Sequence, residues 1–419
     1  MKENNNISQQ AKDRDHRIIA KDLDLYIIDD KVGQGLPILL ENWVIIRNRI
    51  AEFLREKQTE FDFREVMTPI LGSQHLYQTS GHLEHYQDSM FPLISRNNED
   101  FYLRPMTCPH HCVIYQSKLR SYRDLPFRLC ENSLLFRYET SGSLKGLERA
   151  RWMELADNHI FVSSEQLKEE FKKNYHYITN ILKAFDFKIS RLVCAIHEPS
   201  NSEKYHSDKE LWNYSENLLI ESLQELKLNY EIIKGEAAFY GPKLDLEIKA
   251  ADGKNITIAT IQLDFALPQK FNLSYVDKEG KMQMPVIIHQ TPFGTYQRFI
   301  ALLLEQTNGQ LPFWLTPCQI AILPLNEEEE TKEYCDKLVK NLVQSNLRAK
   351  ILAKKTLNYR VNQIYQKKIP YYLVIGKGEL EKKTTKLIYT YLPNSSEELT
   401  EKELTEKLVK ENQKIKDFK

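Results

Sequence analysis

Residues Phe136–Arg151 read FRYETSGSLKGLERAR. The stretch has the order expected of two strands joined by a Ser/Gly/Leu loop, with Arg137 and Glu139 on one side and Arg149 and Arg151 on the other. Guanidinium groups at both ends of a hairpin can grip several phosphate oxygens together, because their planar forks suit bidentate contact with oxyanions. The same charges also fit a plain ion-pair ladder between neighbouring strands. Around this hairpin lie further strand candidates at 63–71, 134–139, 191–195, 256–262 and 284–290, and the intervening stretches do not supply one helix per strand. That order suits an antiparallel sheet with attached helices, an α+β fold, better than a doubly wound parallel sheet.

Before the first strand, Trp43, Ile46, Ile50, Phe53 and Leu54 form a helical stripe, and FREVMTPIL (Phe63–Leu71) reads as a strand with Pro69 at its end. Near the other end, GTYQRF (Gly294–Phe299) has Arg298 opening a helix that continues into the apolar run Phe299–Leu304. After residue 314 the pattern changes. The run Gln319–Leu325, a helix with Cys335, Leu338, Val339, Leu342 and Val343 on one face, and a strand Tyr371–Ile375 predict a small βαβ-type domain. Between Arg348 and Lys386 it carries 11 Lys/Arg against 2 Asp/Glu, which suits either an RNA-binding surface or a solvated lysine-rich face.

Composition narrows the class. The 419 residues, 42% of them hydrophobic, can bury a large core, and 58 basic residues against 58 acidic ones argue against wholesale polyanion binding while permitting a local patch. The start MKENNNISQQAKDRDH has neither a signal-peptide apolar run nor a lipidation motif, and residues 1–13 read as a mobile polar tail. No window approaches the ~18 apolar residues of a membrane span. Six scattered cysteines do not resemble a secreted disulfide framework, so a cytoplasmic location is expected. No Walker or dinucleotide glycine motif is present.

Cys108, His159 and His289 offer one thiol and two imidazoles, the three-ligand set of a catalytic zinc site with an open position. Their intervals of 51 and 130 residues match no compact metal-finger pattern, so spacing alone leaves the set one option among several. His110 and His111 beside Cys108 could bind phosphate but read better as surface residues or as supports to the ligands, Cys112 could be a fourth ligand but reads better as a core thiol, and His82 and His85 read as part of a loop over the site.

RPMTCPHHC (Arg104–Cys112), the hairpin Phe136–Arg151, ADNHIF (Ala156–Phe161), GEAAFYGPK (Gly235–Lys243), TIQLDF (Thr260–Phe265), VIIHQ (Val286–Gln290) and GTYQRF together resemble the bacterial-type threonyl-tRNA synthetases, a family of class II aminoacyl-tRNA synthetases. The resemblance runs from about Arg14 nearly to the end, in the family's order. It implies a class II catalytic domain over 14–314, an antiparallel sheet flanked by helices, and an α/β anticodon-binding domain over 315–419. Residues 42–69 resemble motif 1, the dimer-forming helix and strand, so a homodimer is implied.

The resemblance also implies site roles. Cys108, His159 and His289 match zinc ligands, one ion per subunit, which would take the amino and hydroxyl groups of L-threonine. Asp157 matches the acid that accepts the threonine hydroxyl, and Tyr240 and Gln262 match further amino-acid-pocket positions. Arg137 would bind the α-phosphate of ATP, Glu139 the adenine edge, Arg149 the γ-phosphate side, Met153 the adenine, and Arg298 the nucleotide from the other face, with Mg²⁺ accompanying ATP. Glu379 matches an anticodon-contact position for tRNA(Thr). The chain departs from the family at Leu155 and Met153, where many members carry Gln and Phe, at Thr257, where Gln is common, and in LIYTYLP (Leu387–Pro393), where an arginine-bearing strand is usual. No ubiquitin-like or editing domain precedes motif 1 in the matched region, so no cis-editing activity is expected. The competing readings are a catalytically inactive RNA-binding paralogue and a zinc hydrolase, for which no HExxH helix motif is found.

Overall fold

The computed structural model describes residues 14–200, 205, 208–392 and 394–413. The expected tail at 1–13 and Pro393 of the LIYTYLP strand lie outside them. The described residues divide into two units: one holds residues 28–37 and 54–302, the other residues 14–27, 38–53 and those from 303 to 413.

The first unit is built on an eight-stranded sheet. Its strands are β1 (Arg64–Glu65), β2 (Phe127–Phe136), β3 (Trp152–Val162), β4 (Ile189–Ile196), β5 (Glu231–Lys234), β6 (Lys243–Lys249), β7 (Asn255–Asp264) and β8 (Val286–Thr291), arranged β5-β4-β6-β7-β8-β3-β2-β1. All neighbours are antiparallel except the outermost pairs, β5 with β4 and β1 with β2. The expected α+β class with an antiparallel sheet is thus what the chain forms. VIIHQT of β8 is buried at five of its six positions, as suits a central strand covered on both faces. A helix at Leu167–Ala184 places Leu167, Phe171, Tyr177, Ile178, Ile181 and Leu182 inward at three- and four-residue spacings, the stripe an amphipathic helix buries.

Two expected elements differ in extent. The stripe at 43–54 lies in the helix Glu41–Glu60, but of the stretch 63–71 only Arg64–Glu65 joins the large sheet, and Leu71–Ser73 belongs to a separate three-stranded sheet. Between them Val66 N–H still reaches Cys130 O, while Thr68 gives its N–H and hydroxyl to the Glu131 carboxylate. Pro69 has no N–H to give, so the ladder cannot continue. The expected strand at 134–139 ends at Phe136 and begins earlier, at Phe127.

The second unit carries β9 (Ile320–Pro324), β10 (Ala349–Ile351), β11 (Tyr371–Ile375), β12 (Thr384–Tyr389) and β13 (Ser396–Thr400) in the order β10-β9-β11-β12-β13. β10, β9 and β11 are parallel, and β12 pairs antiparallel with both β11 and β13. Alternate residues of β9 point to opposite sides: Ile320 and Ile322 pack with Leu338, Leu342, Leu404 and Leu408, and Ala321 and Leu323 pack with Ile364 and Tyr372. The helix Glu329–Gln344 buries Cys335, Leu338 and Leu342 as expected, but Val343 lies half exposed.

Candidate active site

The antiparallel register of the sheet assembles the site. His159 of β3 and His289 of β8 are directly paired, and Gln262 of β7 is paired with His289, so these side chains emerge on one face of three adjacent strands. Asp157, two residues before His159 on β3, shares that face. Cys108 opens the helix Cys108–Gln116, whose first turn tolerates Pro109 because its N–H would have no partner inside the helix. The Cys108 thiol and ring nitrogens of both histidines lie within 4.8 Å of one another, and all three residues are buried.

Other groups hold these rings in place. His159 Nε2 lies 3.0 Å from His289 Nδ1. The far nitrogen of His289 contacts Asp264 at 2.8 Å, and that of His159 contacts His111 Nδ1 at 2.9 Å. Tyr240 stacks on His289 with ring centroids 4.8 Å apart and gives its hydroxyl proton to Gln262. Burial pushes the Cys108 thiol well above its usual range, with Cys112, Asp157 and Asp264 adding to it, and burial drives His159 well below the usual histidine range. Burial also raises the Asp157 carboxyl. Desolvation keeps the His159 imidazole neutral, the form in which histidine ligates a metal, whereas the Cys108 thiol must give up its proton to do so.

The cluster lies at the wall of a cavity of about 470 Å³. Arg137, Glu139, Arg149, Met153, Asp157, Tyr240, Gln262 and Arg298 line the same cavity, as do the departures Leu155 and Thr257. Arg137 bonds the Pro105 carbonyl at 3.2 Å and Arg298 the Glu148 carbonyl at 3.2 Å, and among the described residues neither makes a carboxylate ion pair. Burial lowers the Arg298 pKa, with Arg137 and Arg149 adding to that and Glu148 and Glu139 opposing it. Arg149 is paired with Glu139 at 2.7 Å, so the carboxylate expected at the adenine is engaged by the arginine expected at the γ-phosphate.

Glu379 is the one expected site residue outside this cavity. It caps the helix Lys377–Lys382, its carboxylate accepting the Gly376 N–H at 2.9 Å. His85 lines the cavity and stacks on Phe239, whereas His82 is buried against Ser80. Cys112 is a core residue, and His111, weighed as a support, does touch the candidate ligand His159. Sequence reasoning missed Asp264, which contacts His289, Glu131, which contacts His111, and Tyr86, whose ring lines the cavity 5.9 Å from the Arg137 guanidinium. Asp264 stands 25 residues before His289, and only the sheet register brings it near.

Comparison with known proteins settles the family. The family described as tRNA synthetase class II core domain (G, H, P, S and T) matches residues 91–307, and that described as Anticodon binding domain matches 319–411. A threonine--tRNA ligase of Ureaplasma parvum is 43% identical over 401 residues, covering 95% of this chain and 68% of its own. The chain belongs to the threonine--tRNA ligases. A ligase of this family from Geobacillus is 42% identical over 89% of this chain, which spans 58% of that relative's length. A solved structure titled as the RNA binding domain of threonyl-tRNA synthetase from Cryptosporidium parvum superposes with a TM-score of 0.87 at 33% identity, covering 94% of this chain and 98% of that one. A threonyl-tRNA synthetase structure from Aeropyrum pernix gives 0.81 at 25% identity, covering 96% of each chain.

Proposed function

We propose that the cavity joins L-threonine to the α-phosphate of ATP and passes the threonyl group to the 3′ end of tRNA(Thr), with zinc held by Cys108, His159 and His289. The observation that carries this reading is the convergence of Cys108 Sγ, a His159 nitrogen and a His289 nitrogen within 4.8 Å, on the same cavity as Arg137 and Arg298. Bound there, zinc supplies a Lewis-acidic centre for the amino and hydroxyl groups of threonine.

The chain's own residues do the rest. Asp157 accepts the substrate hydroxyl, and Tyr240 and Gln262 close the amino-acid side. Arg137 and Arg298 hold the triphosphate, which arrives with Mg²⁺, and stabilise the charge that builds as the threonine carboxylate attacks the α-phosphorus and pyrophosphate leaves. Met153, buried in the wall, packs against adenine. Glu139 meets the adenine edge once Arg149 turns from it to the γ-phosphate. In the second step the tRNA terminal hydroxyl attacks the carbonyl and AMP departs. Arg137, Arg298 and a complete ligand set leave the inactive-paralogue reading without support.

Glu379 is proposed as an anticodon contact in the second unit. A homodimer is proposed through the 42–69 segment: β1 is an edge strand of its sheet, and Met67 beside it is 95% exposed, with Ile70 and Leu71 also exposed. Six free cysteines, and the lack of any helix long and apolar enough to cross a membrane among the described residues, accord with a cytoplasmic enzyme.

The test is threonine-dependent ATP/pyrophosphate exchange and charging of total tRNA, with metal content measured on the same sample. Cys108→Ala should lose both zinc and exchange while still binding ATP. Full activity of a metal-free preparation would overturn the zinc assignment.

A further inference from the structure

Glu131 lies almost sealed from solvent in the interior of β2, opposite Asp157. One carboxylate oxygen takes the Arg104 guanidinium at 2.9 Å, and the other takes the Thr68 hydroxyl at 2.8 Å and His111 Nε2 at 3.2 Å. A carboxylate held by arginine only accepts hydrogen bonds, so Nε2 of His111 carries the hydrogen. With its hydrogen on Nε2, the His111 ring has a lone pair on Nδ1, which lies 2.9 Å from Nδ1 of His159. The hydrogen in that contact must come from His159, and its Nε2 is left as an acceptor. His289 reaches the same state more directly. Asp264 accepts the Ala266 and Leu267 amides on one oxygen and His289 Nε2 on the other, which frees the lone pair on His289 Nδ1.

The two freed lone pairs face each other at 3.0 Å. Neither ring can donate to the other while it keeps its outer partner, and a cation shared between them resolves the conflict. We infer that Glu131 and His111 are positioning residues for this site: acting through His111, Glu131 fixes the tautomer of His159, as Asp264 fixes that of His289, and these tautomers set how tightly zinc is held. The inference rests on the zinc reading above and assigns a task to two buried side chains that do not line the cavity.

The experiment uses three replacements of His111. Asparagine puts its amide oxygen where Nδ1 lies, glutamine puts its amide where Nε2 lies, and leucine supplies neither. Zinc affinity is measured by competition with a chromogenic chelator, with ATP binding as the check that the cavity is intact. His111→Asn should hold zinc within about threefold of the parent, and His111→Gln and His111→Leu should weaken it by about 10- to 100-fold. Parent-like affinity in His111→Leu, or an equal loss in His111→Asn and His111→Leu, would overturn the assignment. A second measurement needs no variant: ¹⁵N shifts of labelled histidine in the metal-free parent should report hydrogen on Nδ1 of His159. Hydrogen on Nε2 would refute the tautomer argument, whereas a parent that binds no zinc at all would refute the zinc reading and leave that spectrum to decide the tautomer.

Discussion

Asp157 and Glu131 are paired on neighbouring strands, both buried, yet their environments push them apart. Desolvation raises both, but at Glu131 the His111 contact and the Arg104 charge outweigh it and hold the carboxyl down at about 2. Because the folded value lies below the usual 4.5, the ionised carboxylate stabilises the fold fully above about pH 4.5, on the order of 3 kcal/mol, and that contribution fades as pH falls toward 2. Urea unfolding of the parent and Glu131→Gln should therefore show a stability gap that is widest near neutrality and narrows in acid. A gap independent of pH would contradict the assigned ionisation. Asp157 leads to a prediction about substrate choice. Valine lacks the hydroxyl that Asp157 would engage and should be rejected by ~10⁴- to 10⁵-fold, whereas serine lacks only a methyl group and should be disfavoured by roughly 10- to 200-fold. Pyrophosphate exchange with each amino acid measures both ratios.

The elements that carry the site differ in how plainly the sequence announced them. The β2–β3 hairpin was readable as two strands joined by a loop, but its strands pair from Phe127↔Phe161 to Phe136↔Trp152, so residues 137–151, which carry the arginines, form the connection itself and not the strand ends expected. The strand at 63–71 was not, because its length is decided by Thr68 leaving the ladder for Glu131, a partner 63 residues away. Asp264 and Glu131 escaped notice for the same reason: a lone carboxylate in an apolar strand has no local signature, and its role appears only when neighbouring strands are aligned. The Tyr240 loop offers an element-scale test. A Cβ at Gly241 would lie 1.7 Å from the Leu263 carbonyl of β7, so this close approach requires glycine. Gly241→Ala should cost about 1–3 kcal/mol. It should also raise KM for threonine more than for ATP, since it displaces Tyr240 from Gln262. Thermal unfolding and steady-state kinetics would record the two effects, and equal changes in both KM values would count against the placement.

At the scale of the whole molecule, residue patterns showed a change of character after residue 314, and the family resemblance supplied the identities: a class II core matches 91–307 and an anticodon-binding domain 319–411. The assembly prediction belongs here. Sedimentation velocity at micromolar concentration should give a dimer for the parent, and Met67→Lys should shift the equilibrium toward monomer by placing a charge in the proposed two-fold contact. A parent that is monomeric and fully active would remove the 42–69 interface from consideration. The direct pairing of His159 with His289 carries a further consequence, for folding quality. Sliding β8 by one residue along β3 would turn every side chain of β8 to the opposite face and send the two imidazoles to different sides of the sheet. The proposed ligand set therefore exists only in molecules whose central strands are correctly aligned, and if zinc binds there as proposed, the fraction of chains able to capture it becomes an internal audit of how faithfully the sheet was assembled.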